Sequence, residues 1–167
     1  MLRLINSMRE IHFSQLMDVY MEGNCENGAA NYPQLSSDQQ LMQAEQDFYA
    51  FLQEFFSVDR AVYAVWECEG KYVSALRLEP YKDGFLLEAL ETMPEFRRLG
   101  YARKLIQSAL KTISAEYRLP VYSHVNKRNQ ASLAVHAACG FEKILDYAVY
   151  IDGSVTHRCC TLRWSPC

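Results

Sequence analysis

The stretch from Phe85 to Leu105 constrains the fold of this chain more than any other. An apolar run, Phe85 to Met93, leads into Pro94-Glu95-Phe96-Arg97-Arg98-Leu99-Gly100-Tyr101-Ala102-Arg103-Lys104-Leu105. That order predicts a strand, a short basic turn with one glycine, and a helix. A helix N-terminus carries amides without intrahelical partners, and its dipole favours an anion. Arg97, Arg98, Arg103 and Lys104 place four positive charges there, in a chain whose net charge is −3. First helical turns ordinarily favour acidic residues, so the pattern points to a bound phosphate rather than a nucleic-acid footprint.

The elements around this unit read as follows. Leu2 to Asn6 predicts a strand, and residues 11–22 a helix with Phe13, Leu16, Met17, Val19 and Tyr20 at helical spacing. Gly23 to Pro33 is polar and turn-rich and reads as a loop. Ser36-Ser37-Asp38 offers caps for a long helix ending near Phe56. Ala61 to Glu67 and Lys71 to Glu79 read as strands joined at Glu69-Gly70, and Lys82-Asp83-Gly84 turns the chain into the strand Phe85 to Met93. Ala102, Leu105, Ile106, Ala109, Leu110 and Ile113 mark one face of the next helix. Pro120 opens the strand Val121 to Val125, and Asn129 caps a short helix. The remainder is strand-rich, with Asp152-Gly153 as a two-residue hairpin turn. The order is β-αα-βββ-α-β-α-ββ, an α/β (α+β) arrangement with helices on a mixed sheet.

A chain of 167 residues, half of them apolar, fits one domain, residues 1–167, with a substantial core. No apolar run approaches a membrane span, and the N-terminus lacks a signal-peptide pattern. The six cysteines, Cys25, Cys68, Cys139, Cys159, Cys160 and Cys167, form no C-x-x-C and no zinc spacing with histidine. Free thiols in a reducing cytoplasm, with no bound metal, are the expectation. No G-x-G-x-x-G or G-x-x-x-x-G-K-[ST] occurs.

Two segments carry a family resemblance. Arg97, Gly100 and Ala102 occupy the defining places of Arg/Gln-x-x-Gly-x-Gly/Ala, the pyrophosphate loop of the GNAT superfamily of acetyl-CoA-dependent N-acetyltransferases. Downstream, Asn129-Gln130-Ala131-Ser132-Leu133-Ala134-Val135-His136-Ala137-Ala138-Cys139-Gly140-Phe141 resembles that family's Asn-x-x-Ala/Ser-x-x-Leu-Tyr/His-x-x-x-Gly-Phe segment. Together they span roughly residues 84–141. The resemblance implies a mixed, mostly antiparallel central sheet flanked by helices, with the strand before the loop splayed from the strand ending near Asn126. It also implies acetyl-CoA as co-substrate. Backbone amides of Arg98, Leu99, Gly100, Tyr101, Ala102 and Arg103 would hold its diphosphate beside Arg97. Backbone groups around Leu90 and Thr92 would pair with the pantetheine arm, and Asn129 and Ser132 would lie along it. An amide of that strand would polarise the thioester carbonyl.

Three residues are candidates for proton transfer. Glu88 and Glu91 are carboxylates in an otherwise apolar strand, where unpaired charge is rarely buried. An acceptor amine arrives protonated and must lose a proton before it attacks, and either carboxylate can serve as the base. In a regular strand the two point to opposite faces; a bulge would bring them together. His136 stands where many family members have a tyrosine that protonates the departing thiolate, and a histidine can supply that proton. In the helix after Asn129, Leu133, Ala134, Ala137 and Ala138 form one apolar face. Asn129, Ser132, His136 and Cys139 form a second, uncharged stripe that would face a cofactor. Ser132 and His136 can touch at i, i+4, but no carboxylate is near in sequence, so a hydrolytic triad is not expected.

The expectation is therefore an N-acetyltransferase that moves acetyl from acetyl-CoA to a small-molecule or peptide amine by direct transfer. The alternative is a CoA- or acyl-CoA-binding sensor or interaction module without catalysis. The acceptor is open. Acidic residues such as Glu22, Glu26, Asp47 and Asp152 lie in the segments that wall the acceptor site in this family. No nucleic acid or membrane partner is expected, and an open edge at the C-terminal strands would allow a homodimer.

Overall fold

A computed structural model describes residues 1–166. The elements run β1 (Leu2–Ile5), α1 (Phe13–Val19), α2 (Met21–Asn31), α3 (Ser37–Phe55), β2 (Val62–Cys68), β3 (Lys71–Tyr81) and β4 (Gly84–Thr92). They continue with α4 (Tyr101–Tyr117), β5 (Val121–Asn126), α5 (Gln130–Ala138), β6 (Glu142–Leu145), β7 (Ala148–Val149), β8 (Val155–Thr156) and β9 (Cys159–Trp164). Seven strands form one sheet in the order β1-β2-β3-β4-β5-β9-β6, and β7 and β8 form a separate ribbon. Among the described residues only β4 and β5 run parallel; every other pair is antiparallel. The mixed, mostly antiparallel sheet flanked by helices is therefore as the family resemblance implies.

Each face of the sheet has its own core. On one face Leu105, Ile106, Ala109 and Ile113 of α4 pack on Ala64, Leu76, Phe85, Leu87 and Val121. On the other, Leu16 and Val19 of α1 and Leu52 and Phe55 of α3 pack on Tyr63, Val65, Tyr72 and Ala75. Strand side chains alternate between faces, which is why the apolar runs of β2 and β3 feed both cores.

β4 departs from regularity in two ways. First, Arg77 pairs with Glu88 and Ala75 with Glu91, so Leu76 alone opposes Ala89 and Leu90. This is a β-bulge, and Ala89 takes φ 50° within it. Arg77 and Ala75 share a face, so the bulge turns Glu88 and Glu91 to that same face, the side of α1 and α3. Second, the parallel ladder to β5 covers only Phe85–Leu87 against Val121–Ser123. Beyond Leu87 and Ser123 the two strands diverge, which gives the expected splay.

Three expectations need correction. The segment from Gly23 to Pro33 is no loop: most of it is α2. Glycine and asparagine are weak helix formers, and this helix forms because α3 supports it. A Cβ on Gly28 would lie 2.6 Å from the Gln40 carbonyl oxygen, so the two helices cross in near-backbone contact. The Gln40 side chain donates from Nε2 to the Tyr32 and Leu35 carbonyls (3.0 and 3.1 Å), capping the end of α2. The faces of α5 are also partly exchanged: His136 and Cys139 are buried and Ala134, Ala137 and Ala138 exposed, while Leu133 packs on the core as expected. Alanine is the best helix former and forfeits little when solvated, so an alanine stripe is a poor guide to the core. Finally, Val149 pairs with Val155, so the β7–β8 connection is a five-residue loop, 150–154, rather than a two-residue turn. Asp152 Oδ1 organises it by accepting from the Ser154 amide (2.8 Å) and hydroxyl (2.6 Å). The cap at Ser36 is a full capping box with Gln39, as the sequence suggests.

The α2–α3 crossing predicts opposite outcomes for two glycines of one helix. Gly28→Ala drives a methyl into the Gln40 backbone and should destabilise by about 1–3 kcal/mol. Gly23, with nothing within 4 Å of its would-be Cβ, should gain up to about 1 kcal/mol on replacement by Ala. Urea unfolding of both variants checks the pair.

Candidate active site

The turn after β4 is built to meet an anion. Gly100 caps α4 at φ 82°, and Arg98 lies at φ 63°. The first backbone bond of the helix is Lys104 N–H to Gly100 O, and among the described residues the amides of residues 98–103 donate to no backbone acceptor. Successive free amides at a positive helix end form an anion cradle. A Cβ on Gly100 would meet nothing within 4 Å, so its left-handed backbone, not crowding, calls for glycine. Arg98, Arg103 and Lys104 are exposed, and none forms an ion pair among the described residues.

Arg97 behaves differently. Its Nε donates to the Thr92 carbonyl (2.9 Å), and its guanidinium pairs with Glu22 of α2 and with Glu91 (3.1 Å). The Glu22 bond and the Glu91 charge hold Arg97 above its ordinary range. Arg97 thus ties the loop to β4 and α2 through its side chain, and its amide donates to the Pro94 carbonyl (3.2 Å).

A cavity of about 520 Å³ opens at this turn. Arg97, Arg98, Gly100, Tyr101, Ala102 and Arg103 line one side, Leu90 and Thr92 a second, and Asn129 and Ser132 a third. The two sequence segments therefore converge on one space. Leu99 is the exception among the predicted cofactor-binding residues: it points outward, 59% exposed. Asn129 Oδ1 accepts from the Ser132 amide (3.0 Å), which caps α5 and fixes its end at the cavity.

A smaller cavity, about 180 Å³, fills the wedge between β4 and β5. Leu90, Asn129 and Ser132 line both it and the larger cavity. A third cavity of about 310 Å³ lies on the opposite face, between α2, α3 and the sheet, and Ala89 of the bulge lines both it and the wedge. The bulge is thus where all three spaces meet. Tyr20 holds it in place, its hydroxyl donating to the Ala89 carbonyl (2.6 Å). Burial pushes the Tyr20 hydroxyl well above its ordinary range, so it stays a donor.

The third cavity is lined by Tyr20, Tyr63, Asn24, Asn27, Asn31 and Arg77, with Asp47 at its side. Of these, the sequence pointed only to Asp47, as one of the acidic residues in the segments that wall the acceptor site. The asparagines fall at i, i+3 and i+7, a stripe visible only once Gly23–Pro33 is recognised as a helix. Most of the acidic residues expected to wall the acceptor site point to solvent instead. Arg77 sits over the Phe51 ring at 4.7 Å and pairs with Glu88 at 2.8 Å. Burial opposes its charge, but Glu88 and the two tyrosines outweigh that and raise its pKa. The Glu88 carboxylate is thus held by Arg77 at the wedge, and Glu91 by Arg97 and the Thr92 amide (3.1 Å).

His136 is buried behind Ser132. Its Nδ1 lies 2.8 Å from the Ser132 carbonyl and its Nε2 3.0 Å from Ser123 Oγ. A carbonyl only accepts, so Nδ1 carries the proton and Nε2 accepts from the serine. Burial lowers its pKa, against the Ser132 bond, which favours this neutral form. Among the described residues no group of three or more His, Cys, Asp or Glu side chains is placed to hold a metal ion. Cys25, Cys68, Cys139, Cys159 and Cys160 are free; Cys167 lies outside the described residues. Among the described residues no helix is long and apolar enough to cross a membrane.

Residues 29–141 match the Acetyltransferase (GNAT) family. The chain belongs to that family. As a GNAT protein it is an acyltransferase, and its fold is shared with solved N-acetyltransferases at low identity. The PaiA N-acetyltransferase of Thermoplasma acidophilum, solved with coenzyme A, is 12% identical over 99% of both chains with a TM-score of 0.67. A ribosomal-protein-alanine N-acetyltransferase of Escherichia coli is 15% identical over 99% of this chain and 94% of that one, with a TM-score of 0.65. An aminoglycoside 6'-acetyltransferase of type Ii is 10% identical over 100% and 97%, with a TM-score of 0.67. Comparison with the curated proteins gives no match.

The Arg77–Glu88 pair is a partly buried salt bridge, with side chains 23% and 17% exposed. Arg77→Met leaves Glu88 without a counter-charge and should cost about 2–4 kcal/mol at pH 7, in line with breaking a buried pair. Adding Glu88→Gln should recover part of the loss. Urea unfolding of the single and double variants at pH 7 measures both effects.

Proposed function

We propose that this GNAT chain, as a single domain over residues 1–167, transfers acetyl from acetyl-CoA to a primary amine directly, in a ternary complex. The meeting of three cavities at the β4 bulge carries the reading. One cavity has an anion cradle at its outer end, the wedge admits a narrow arm between two strands, and the third reaches the same point from the opposite face. Two reactants brought to one point from two sides gain most of the entropic advantage of an intramolecular reaction.

In this reading the amides of residues 98–103 hold the CoA diphosphate, and Arg98, Arg103 and Lys104 add charge that no carboxylate cancels. Backbone groups of Leu90 and Thr92 pair with the pantetheine arm, and Asn129 and Ser132 line its other side. An amide at the bulge polarises the thioester carbonyl, whose oxygen gains charge as the amine attacks. Glu88, at the wedge, attracts the ammonium form of the acceptor. Glu91 secures the loop through Arg97. His136 is buried at the inner wall of the wedge and acts on the departing thiolate through Ser132, whose Oγ is 3.4 Å from its Nδ1. The neutral, amide-rich cavity beside α2 suits a polar acceptor, either a small amine or a peptide end. The free cysteines suit a reducing compartment, and we assign the protein to the cytoplasm on that ground.

Thermal unfolding with and without acetyl-CoA tests the binding half. At about 100 times Kd, native-state binding adds roughly 2.7 kcal/mol, or roughly 5–10 °C for a chain of this size. Gly100→Glu, which projects a carboxylate into the cradle, should abolish the rise while the ligand-free protein still unfolds cooperatively. A wild-type protein with no rise at saturating acetyl-CoA would contradict the proposal.

A further inference from the structure

β5 carries a second histidine that the family motifs do not include. His124 follows Ser123, the last residue of β5 paired with β4, so it stands at the mouth of the splay. Its side chain shares a face with Tyr122, the side of Glu88 and of the third cavity. It lines the wedge cavity together with Glu88, Ala89 and Leu90. Both its ring nitrogens are buried, and neither has a hydrogen-bond partner among the described residues. A buried imidazole with two unmet nitrogens is uncommon and calls for a water or ligand beside it.

Its surroundings hold the ring without using its nitrogens. Tyr81 packs edge-on at 5.5 Å and Tyr150 at 5.2 Å. Tyr81 is in turn fixed by its hydroxyl bond to the Val149 carbonyl, and Tyr150 by contact with Cys159 Sγ at 3.8 Å. The ring is therefore oriented by packing, and its polar edges are left for whatever enters the wedge.

We propose that His124 is the group that accepts the proton of the acceptor amine, directly or through one water in the wedge. This rests on the reading of the protein as an amine acetyltransferase. Whichever tautomer is present, one nitrogen of a neutral imidazole is an acceptor. Glu88, by contrast, is already committed to Arg77. The ammonium gives one proton to His124, and the amine lone pair then forms the N–C bond to the thioester carbon. As the C–S bond breaks, its electron pair leaves on sulfur. The second proton lost from nitrogen ends on that sulfur, and His124 returns its own proton to solvent.

The groups facing His124 fix the sign of its pH dependence. They are Tyr81 and Lys82 at the end of β3, Glu88 on β4, and Tyr150 after β7. Burial lowers the His124 pKa, Glu88 opposes this and Lys82 adds to it, with a net fall below the ordinary value of 6.5. Tyr150 is pushed up to about 12, by burial first, so it is neutral across the working range. The imidazole is therefore the free base at neutral pH, and activity should rise through a pKa below 6.5 and then level.

The test uses the full chain with three probe amines, spermidine, ethanolamine and an alanyl peptide, and thiol release as the readout. Carrying on with the fastest probe, His124→Gln should lower kcat by about 10²–10⁴-fold at pH 7. The loss should shrink at alkaline pH, where the amine deprotonates unaided, and added imidazole should restore part of it in His124→Gly. The acetyl-CoA thermal shift should be unchanged in both variants. If wild type acetylates a probe and His124→Gln matches it in rate and pH profile, the inference fails alone. If wild type binds acetyl-CoA but acetylates none of the probes, the amine-transfer reading fails and the inference with it.

Discussion

One extra residue in β4 governs the functional half of this molecule. The bulge at Ala89 interrupts pairing with β3 and coincides with the point where β4 leaves β5. Ala89 accepts a left-handed backbone, a strain of about 1–3 kcal/mol for a non-glycine residue. The Tyr20 hydroxyl donates to its carbonyl. Without the bulge, Glu88 and Glu91 would point to opposite faces and Leu90 would not line the cofactor cavity as it does. With it, both carboxylates turn to one face, each met by an arginine, Arg77 from β3 and Arg97 from the loop.

The two sides of the bulge differ in electrostatic character. On the α4 side, free amides and unpaired arginines create a positive mouth for a phosphorylated ligand. On the α2 side, asparagines and tyrosines dominate, and Arg77 is balanced by Glu79 and Glu88. An anion would be drawn to the first side, where charge is uncompensated, and a polar amine would meet less competition on the second. The wedge between β4 and β5 joins them at Ala89 and Leu90.

The strand, turn and helix around Gly100 were legible because their signals are local: an apolar run, a left-handed glycine position and a periodic helix face. The capping of α3 and α5 was legible for the same reason. The helix α2 was not, because its glycines and asparagines favour turns, and only the backbone contact of Gly28 with α3 and the caps from Gln40 make it helical. The bulge was foreseen as a condition for uniting Glu88 and Glu91, but nothing local to Glu88-Ala89-Leu90-Glu91 demands it. Arg77 and His124 went unmarked because Ala75 to Leu78 and Tyr122 to Val125 read as ordinary alternating strands. Their positions matter only through the splay, which is a property of two strands far apart in sequence.

Amide hydrogen exchange with and without coenzyme A tests most directly whether the loop and the bulge form one binding surface. Slowed exchange is expected at the amides of residues 98–103 and, in the same titration, along β4 from Ala89 to Thr92, with α2 unaffected. Protection at the loop alone, with β4 exchanging as before, would contradict the idea that the splayed strand receives the arm of the cofactor.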